Sequence, residues 1–282
     1  MKRIYWRPKK ISRTVLVVLA ILSLAGLATV ELVKTTTRQP RYRAKMRAAK
    51  TAQVAFAAIK AERISRGHVL DPSIDPAQSG LIGLAMSEVT SNSGHLGAKR
   101  TAANPNFAAV VVHLLDRAGV EEGDYVAVGL SGSFPALNIC VLAALEAMKV
   151  HPVVISSASA SPWGANIPDL IWLDMEQILE EKRILSTRSI AASIGGVEDR
   201  GVGMPKEGRE LLVKAIDERH RIPRIQARNY DDSLEQRMAI FDEWVGNEQY
   251  AAYSNVGGGA TSVGTKVGKK LCTPGLNRIP PK

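Results

Sequence analysis

The stretch 125–176 constrains the fold more than any other part of the chain. Residues 125–128 (Tyr-Val-Ala-Val) are a short apolar run that Gly129, Gly132 and Pro135 cut off, the pattern of a buried strand ending in a tight turn. Pro135 suits the first turn of a helix, where its missing N–H costs nothing, and Ser133 can cap that helix. Leu137, Cys140, Val141, Ala144, Leu145 and Met148 then recur at three- and four-residue steps as one apolar stripe. A second apolar run, 153–155, follows Pro152 directly. Strand, helix and strand at this spacing predict a βαβ unit, and hence an α/β, Rossmann-like domain with a mostly parallel sheet.

Ligands on open α/β sheets bind beyond the carboxyl ends of the strands, which here means Ser131-Gly132-Ser133. Hydroxyls, unpaired backbone N–H groups and the positive end of a helix dipole suit a carboxylate or a phosphate there. The same residues could equally do no more than make the turn and cap the helix.

Ahead of the domain, residues 14–33 are an apolar segment close to the minimum that spans a bilayer as a helix. A clear Ala-x-Ala site is missing and the run exceeds a usual signal core, so a single uncleaved transmembrane anchor is expected rather than a signal peptide. Lys2, Arg3, Arg7, Lys9, Lys10 and Arg13 precede it; Lys34, Arg38, Arg41, Arg43, Lys45, Arg47 and Lys50 follow it. The positive-inside rule therefore does not choose an orientation. These flanks carry much of the net charge of +10, which reads as a membrane feature and not as a nucleic-acid signal. Aromatic content of 5% also gives no stacking platform for bases. Cys140 and Cys272 read as two free thiols.

The expected organisation is a basic tail (1–13), the anchor (14–33), a basic, alanine-rich helical stalk (34–70) and an α/β domain (71–282). Asp71-Pro72 and Asp75-Pro76 mark the boundary before the domain. The stalk residues could alternatively lie on an anionic membrane surface.

Within the domain, Lys99-Arg100-Thr101 would contact a carboxylate or phosphate if folded over the sheet edge; the usual exposure of Lys and Arg favours a solvated basic pair instead. Asn104-Pro105 opens a helix that Gly119 stops. Asn166 closes a loop beyond the second strand, and 169–173 reads as a further short strand ending in Asp174 and Glu176. That acidic pair could be a general base, a metal ligand or a helix cap, capping being the commonest. A strand over 188–194, helices over 206–220 and 233–245 and a strand over 250–256 follow, leading into Gly257-Gly258-Gly259. A glycine-rich loop after a strand signals anion binding, but this one lacks the Lys-Ser/Thr ending of a P-loop. The five histidines show no ligand-like spacing, so neither a metal nor a cofactor is implied. Gly129-Leu130-Ser131-Gly132-Ser133 also misses the Gly-x-Ser-x-Gly elbow by one position.

A set of motifs occurs in a fixed order: Gly80-Leu81-Ile82-Gly83, Ala98-Lys99-Arg100-Thr101 with Asn104-Pro105-Asn106-Phe107-Ala108-Ala109, Ser131-Gly132-Ser133-Phe134-Pro135-Ala136-Leu137, Gly164-Ala165-Asn166, Trp172-Leu173-Asp174-Met175-Glu176 and Val256-Gly257-Gly258-Gly259. Together with the N-terminal anchor, this ordered set resembles the poly-gamma-glutamate system protein family. The resemblance implies a membrane-anchored accessory protein of poly-gamma-glutamate (capsule or secreted polymer) biosynthesis or export, single-pass in the cell membrane with its domain outside the cytoplasm. Implied partners are the membrane proteins that make and export the polymer, and the anionic polymer itself or another carboxylate ligand. Family members run on past the point where this chain ends, which implies a further strand or helix. The family has no assigned reaction and lends no catalytic residue.

The residues expected to bind an anion are Lys99, Arg100, Thr101, Ser131, Gly132, Ser133, Asn166, Gly257, Gly258 and Gly259. The alternative is a membrane-tethered serine hydrolase or transferase acting on gamma-glutamyl bonds, with Ser131 or Ser133 as nucleophile or Asp174 as base. Its weakness is that no histidine can be placed beside the serine turn from sequence.

Overall fold

The computed structural model describes residues 11–35, 37–91, 93–257, 259–264, 270, 272–273 and 275–278. The basic residues expected at 2–10 and Gly258 lie outside these. The chain forms two compact units, Met1–Pro40 and Arg41–Lys282.

Among its described residues the first unit holds one helix, α1 (Arg13–Leu32), capped by Ser12, whose Oγ accepts from the Val15 N–H at 3.2 Å. Its 20 residues span roughly 30 Å at the helical rise, the thickness of a bilayer's hydrocarbon core. It is one helix near the N-terminus, long and apolar enough to cross a membrane.

The second unit is an α/β domain. In chain order it contains α2 (Tyr42–Ser65), α3 (Leu96–Ala102), α4 (Phe107–Ala118), β1 (Tyr125–Ser131), α5 (Pro135–Met148), β2 (His151–Ser157), β3 (Asn166–Ile167), β4 (Leu170–Ile171), α6 (Trp172–Glu181), β5 (Ala191–Ser193), α7 (Lys206–Lys214), β6 (Arg224–Ile225), α8 (Tyr230–Val245), β7 (Tyr250–Asn255) and α9 (Ala260–Val263). A π-helical turn, Ala215–His220, continues α7. Five strands form one sheet in the order β6-β5-β2-β1-β7, and every pairing in it is parallel. β3 and β4 make a separate antiparallel ribbon.

The βαβ unit appears where the spacing predicts it. Val126, Val128 and Leu130 of β1 face one core, which α5 fills; Ala127 faces the other, with Val153, Ile155, Ala191, Ile225 and Phe241 of α8. Gly129 is buried in β1 with no room for a side chain: a Cβ there would meet the Tyr253 hydroxyl at 2.5 Å. α5 is apolar almost all round because the sheet covers one side of it and α2 and α4 cover the other.

That packing corrects the stalk expected over 34–70. Ala48, Ala52, Ala55, Phe56 and Ile59 of α2 are buried against α5 and α4, so α2 is a core helix of the domain. Its alanines do not merely favour helix; they let two helix backbones approach closely. The Asp-Pro segment is likewise no linker. Asp75 is buried and accepts from the Ser79 Oγ and the Gly80 N–H, each at 2.9 Å, while Arg63 of α2 donates to the Gly80 and Ile82 carbonyls. The strand expected over 169–173 also ends early. α6 starts at Trp172, so Asp174 and Glu176 lie in a helix and not at a strand end.

Candidate functional site

β2, β5 and β6 extend the sheet on one side of β1, and β7 adds on the other, so the strand order reverses at β1. Crevices beyond the carboxyl ends of strands at such a reversal are the usual ligand sites of open α/β sheets. Parallel register aligns the strand ends there: Ser131 pairs with Ser157, and Ser157 with Ser193. A cavity of about 230 Å³ opens over this edge. Its walls are Ser131 at the end of β1 with Ser133 and Phe134 beyond it, Ser157 at the end of β2 with Ser159 and Ser161 beyond it, and Gly196 and Asp199 after β5. Gly259 and the 91–99 segment, with Ser91, Ser93, Gly94, His95, Ala98 and Lys99, complete it.

The serine turn is held by its own hydrogen bonds. Ser131 Oγ donates to Ser133 Oγ at 3.1 Å and accepts from the Ser133 N–H at 3.2 Å, and the Ser161 N–H donates to Ser133 Oγ at 3.0 Å. Ser133 does not cap α5: Phe134 occupies the N-cap position, without a side-chain cap bond. The Gly132 N–H donates to the Ser157 carbonyl and the Phe134 N–H to that of Ser131, so these backbone groups are committed and make no anion cradle. Gly132 is required for packing, because a Cβ there would lie 2.9 Å from the Ser159 carbonyl oxygen. Gly257 serves similarly: its φ is +116° and a Cβ would lie 2.7 Å from the Ser131 Cβ. Gly259 lines the cavity.

Lys99 supplies the cavity's charge. It sits in α3 at 4% exposure, 3.6 Å above the Phe134 ring, and its Nζ donates to the Ser133 carbonyl and, at 2.9 Å, to Ser161 Oγ. The solvated reading of this lysine is thereby overturned. Burial disfavours the ammonium and pulls its pKa down to about 8. Among the described residues no carboxylate forms an ion pair with it. Arg100 and Thr101, one and two helical steps on, turn away. Arg100 is exposed and binds the Ser73 and Ile74 carbonyls; Thr101 is exposed and donates to the Gly97 carbonyl.

No family model, curated protein or solved structure matches the chain.

Two other expected residues do not reach it. Asn166 is fully buried, with its amide spent on both backbone groups of Leu84 and on Thr90 Oγ1, all within 2.9 Å. Asp174 caps α6 by accepting from the Ile171 N–H at 2.9 Å, and its other oxygen meets His220 Nε2 at 2.9 Å and Arg219 Nε at 3.0 Å. Neither Ser131 Oγ nor Ser133 Oγ has a basic side-chain partner among the described residues.

Several lining residues escaped the sequence reading. Ser159 and Ser161 belong to the loop beyond the second strand, where no sequence pattern distinguishes them. His95 lines the cavity although no histidine could be placed there from sequence. Asp199 takes bonds from Ser193 Oγ (2.7 Å), Ser233 Oγ (2.6 Å), Thr261 Oγ1 (2.8 Å) and Arg237 (2.8 and 3.0 Å). Burial opposes its charge, but Arg237 and the hydroxyls outweigh it and hold the carboxyl below its ordinary range. Asp199 is thus a braced wall of the cavity, its charge already neutralised by Arg237.

Proposed function

We propose that the protein is a membrane-anchored accessory protein of poly-gamma-glutamate biosynthesis or export, and that the sheet-edge cavity binds an anionic ligand, a carboxylate of the gamma-linked chain. One observation carries the binding half of this reading: a buried ammonium, that of Lys99, stands without a carboxylate partner in a cavity lined by hydroxyls. Buried charges are normally paired, and a ligand carboxylate would complete the pair here while serine hydroxyls donate to its oxygens. The polymer assignment draws on the ordered motifs, several of which build this site: Lys99, the serine turn and Gly259. In this reading α1 is the single-pass anchor in the cell membrane, the domain lies outside the cytoplasm, and the partners are the membrane proteins that make and export the polymer.

The test is titration of the full-length protein in nanodiscs with gamma-linked tetraglutamate. Saturable, salt-weakened binding is expected. Lys99→Met should weaken it roughly ten- to a hundredfold, since hydrogen bonds to charged groups contribute about 1.5–3 kcal/mol. Absence of binding by the wild type, or equal affinity in the variant, refutes the reading.

A further inference from the structure

The binding reading leaves one contact unexplained. Lys99 Nζ lies 2.9 Å from Ser161 Oγ, and both side chains line the cavity. A lysine with no acidic partner, buried beside a hydroxyl, is the arrangement in which an amine can serve as a serine's general base. Ser131 and Ser133, the serines singled out by the turn, lack such a partner.

We propose that Ser161 is a nucleophile and Lys99 its general base, and that the site cleaves a gamma-glutamyl amide. This rests on the binding reading, because the ligand must enter the same cavity. In the first step neutral Lys99 takes the proton from Ser161 Oγ as Oγ bonds to the amide carbonyl carbon. The resulting ammonium then gives that proton to the amide nitrogen, the C–N bond breaks and the amine leaves. Water attacks the acyl-serine ester, losing a proton to Lys99; Ser161 leaves and recovers that proton. The net change is amide plus water to carboxylic acid plus amine, with no other reactant.

Burial prepares the base. With desolvation holding Lys99 at about 8, a useful fraction is neutral near physiological pH, whereas an exposed lysine would be almost wholly charged. The groups that face it are the Ser133 carbonyl, Ser161 Oγ and the Phe134 ring. Among the described residues His95 and Asp199 are the other ionisable groups lining the cavity, and Asp199 is committed to Arg237. Gly94 closes over the hydroxyl: a Cβ at Gly94 would lie 2.9 Å from Ser161 Oγ, so a side chain there would crowd the nucleophile.

The experiment uses full-length protein in nanodiscs with gamma-linked tetraglutamate, reading cleavage by mass spectrometry and binding by calorimetry, and a fluorophosphonate probe with peptide mapping. The expected result is cleavage of the tetraglutamate, and in the ligand-free protein labelling of Ser161 that quickens as pH rises through about 8. Ser161→Ala should lose cleavage and labelling, and Lys99→Arg should lose cleavage by about a hundredfold or more when measured at saturating tetraglutamate, the usual worth of a general base. Melting curves of each variant establish that it is folded. Binding with neither cleavage nor labelling overturns this inference alone, as does a probe on another serine or cleavage that survives in Ser161→Ala. Absence of binding overturns both readings. Because wild-type labelling is itself decisive, a variant that fails to fold does not rescue the proposal.

Discussion

Glu176→Gln should remove most of the pH dependence of stability between pH 5 and 8. Glu176 is fully buried in α6 and ends a chain of donors: Trp172 Nε1 donates to Ser156 Oγ, Ser156 and Ser189 share a bond of 2.6 Å, and Ser189 Oγ donates to Glu176 Oε1 at 2.8 Å. Burial raises the carboxyl to about 7 from an ordinary 4.5, although the Ser189 bonds pull the other way. The unfolded chain therefore ionises first, and the folded protein holds its proton until about pH 7. This group's stability is fully present below pH 4.5 and is lost as pH rises through 7. At about 1.4 kcal/mol per pH unit, the loss is about 3 kcal/mol. Glutamine copies the protonated form: its amide can donate to Ser189 Oγ, which then donates to Ser156, while its oxygen accepts from the Ser189 N–H. Denaturant unfolding of the full-length protein in mild detergent, followed by tryptophan fluorescence, measures both proteins at pH 5 and pH 8. Taking the difference between them cancels titrations common to both. The variant should match the wild type at pH 5 and exceed it by about 2–3 kcal/mol at pH 8. A wild type equally stable at both pH values, or a variant weaker at pH 8, refutes the reasoning.

Asp199→Asn should destabilise the domain by about 3–5 kcal/mol, because it leaves Arg237 buried at 4% exposure without its carboxylate; a fall in melting temperature with intact membrane insertion is the readout. Ala52→Leu should cost about 1–3 kcal/mol by overpacking the interface between α2 and α5, whereas a free stalk helix would tolerate it; chemical unfolding distinguishes the two. Gly132→Ala should lower stability and disturb the cavity together, since the new methyl meets the Ser159 carbonyl oxygen at 2.9 Å; unchanged melting would show that the turn has room. Alkaline carbonate washing of membranes should leave the full-length protein in the pellet, held by α1; release into the supernatant refutes anchoring by that helix.

The central βαβ unit was legible because its signals are local. A glycine- and proline-bounded apolar run, an apolar stripe at helical spacing and a second run fix the element types without knowledge of their neighbours. α2 was misread for the opposite reason. Ala48, Ala52 and Ala55 sit at helical spacing, but alanine carries so little hydrophobic signal that a close-packing face looks like mere helix propensity. What reveals the role of α2 is α5, whose apolar surface is too wide for the sheet alone to cover.

The site divides in the same way. Ser131 and Ser133 could be found because the end of a first parallel strand is a place sequence can locate. Lys99 could not be weighed correctly, since its burial depends on partners 34 and 62 residues away. Nor could the edge itself be seen. Ser131 and Ser157 terminate neighbouring strands, and only the register that pairs them turns two ordinary serines into one hydroxyl-lined rim. That rim also explains why the turn's own hydroxyls are weak candidates for chemistry: Ser131 and Ser133 are consumed in bracing each other and the Ser161 N–H. Ser161, delivered by the loop beyond β2, meets the one buried lysine of the cavity. In the proposed mechanism the chemistry at this edge falls to the loop after the strand next to the one the sequence pointed to.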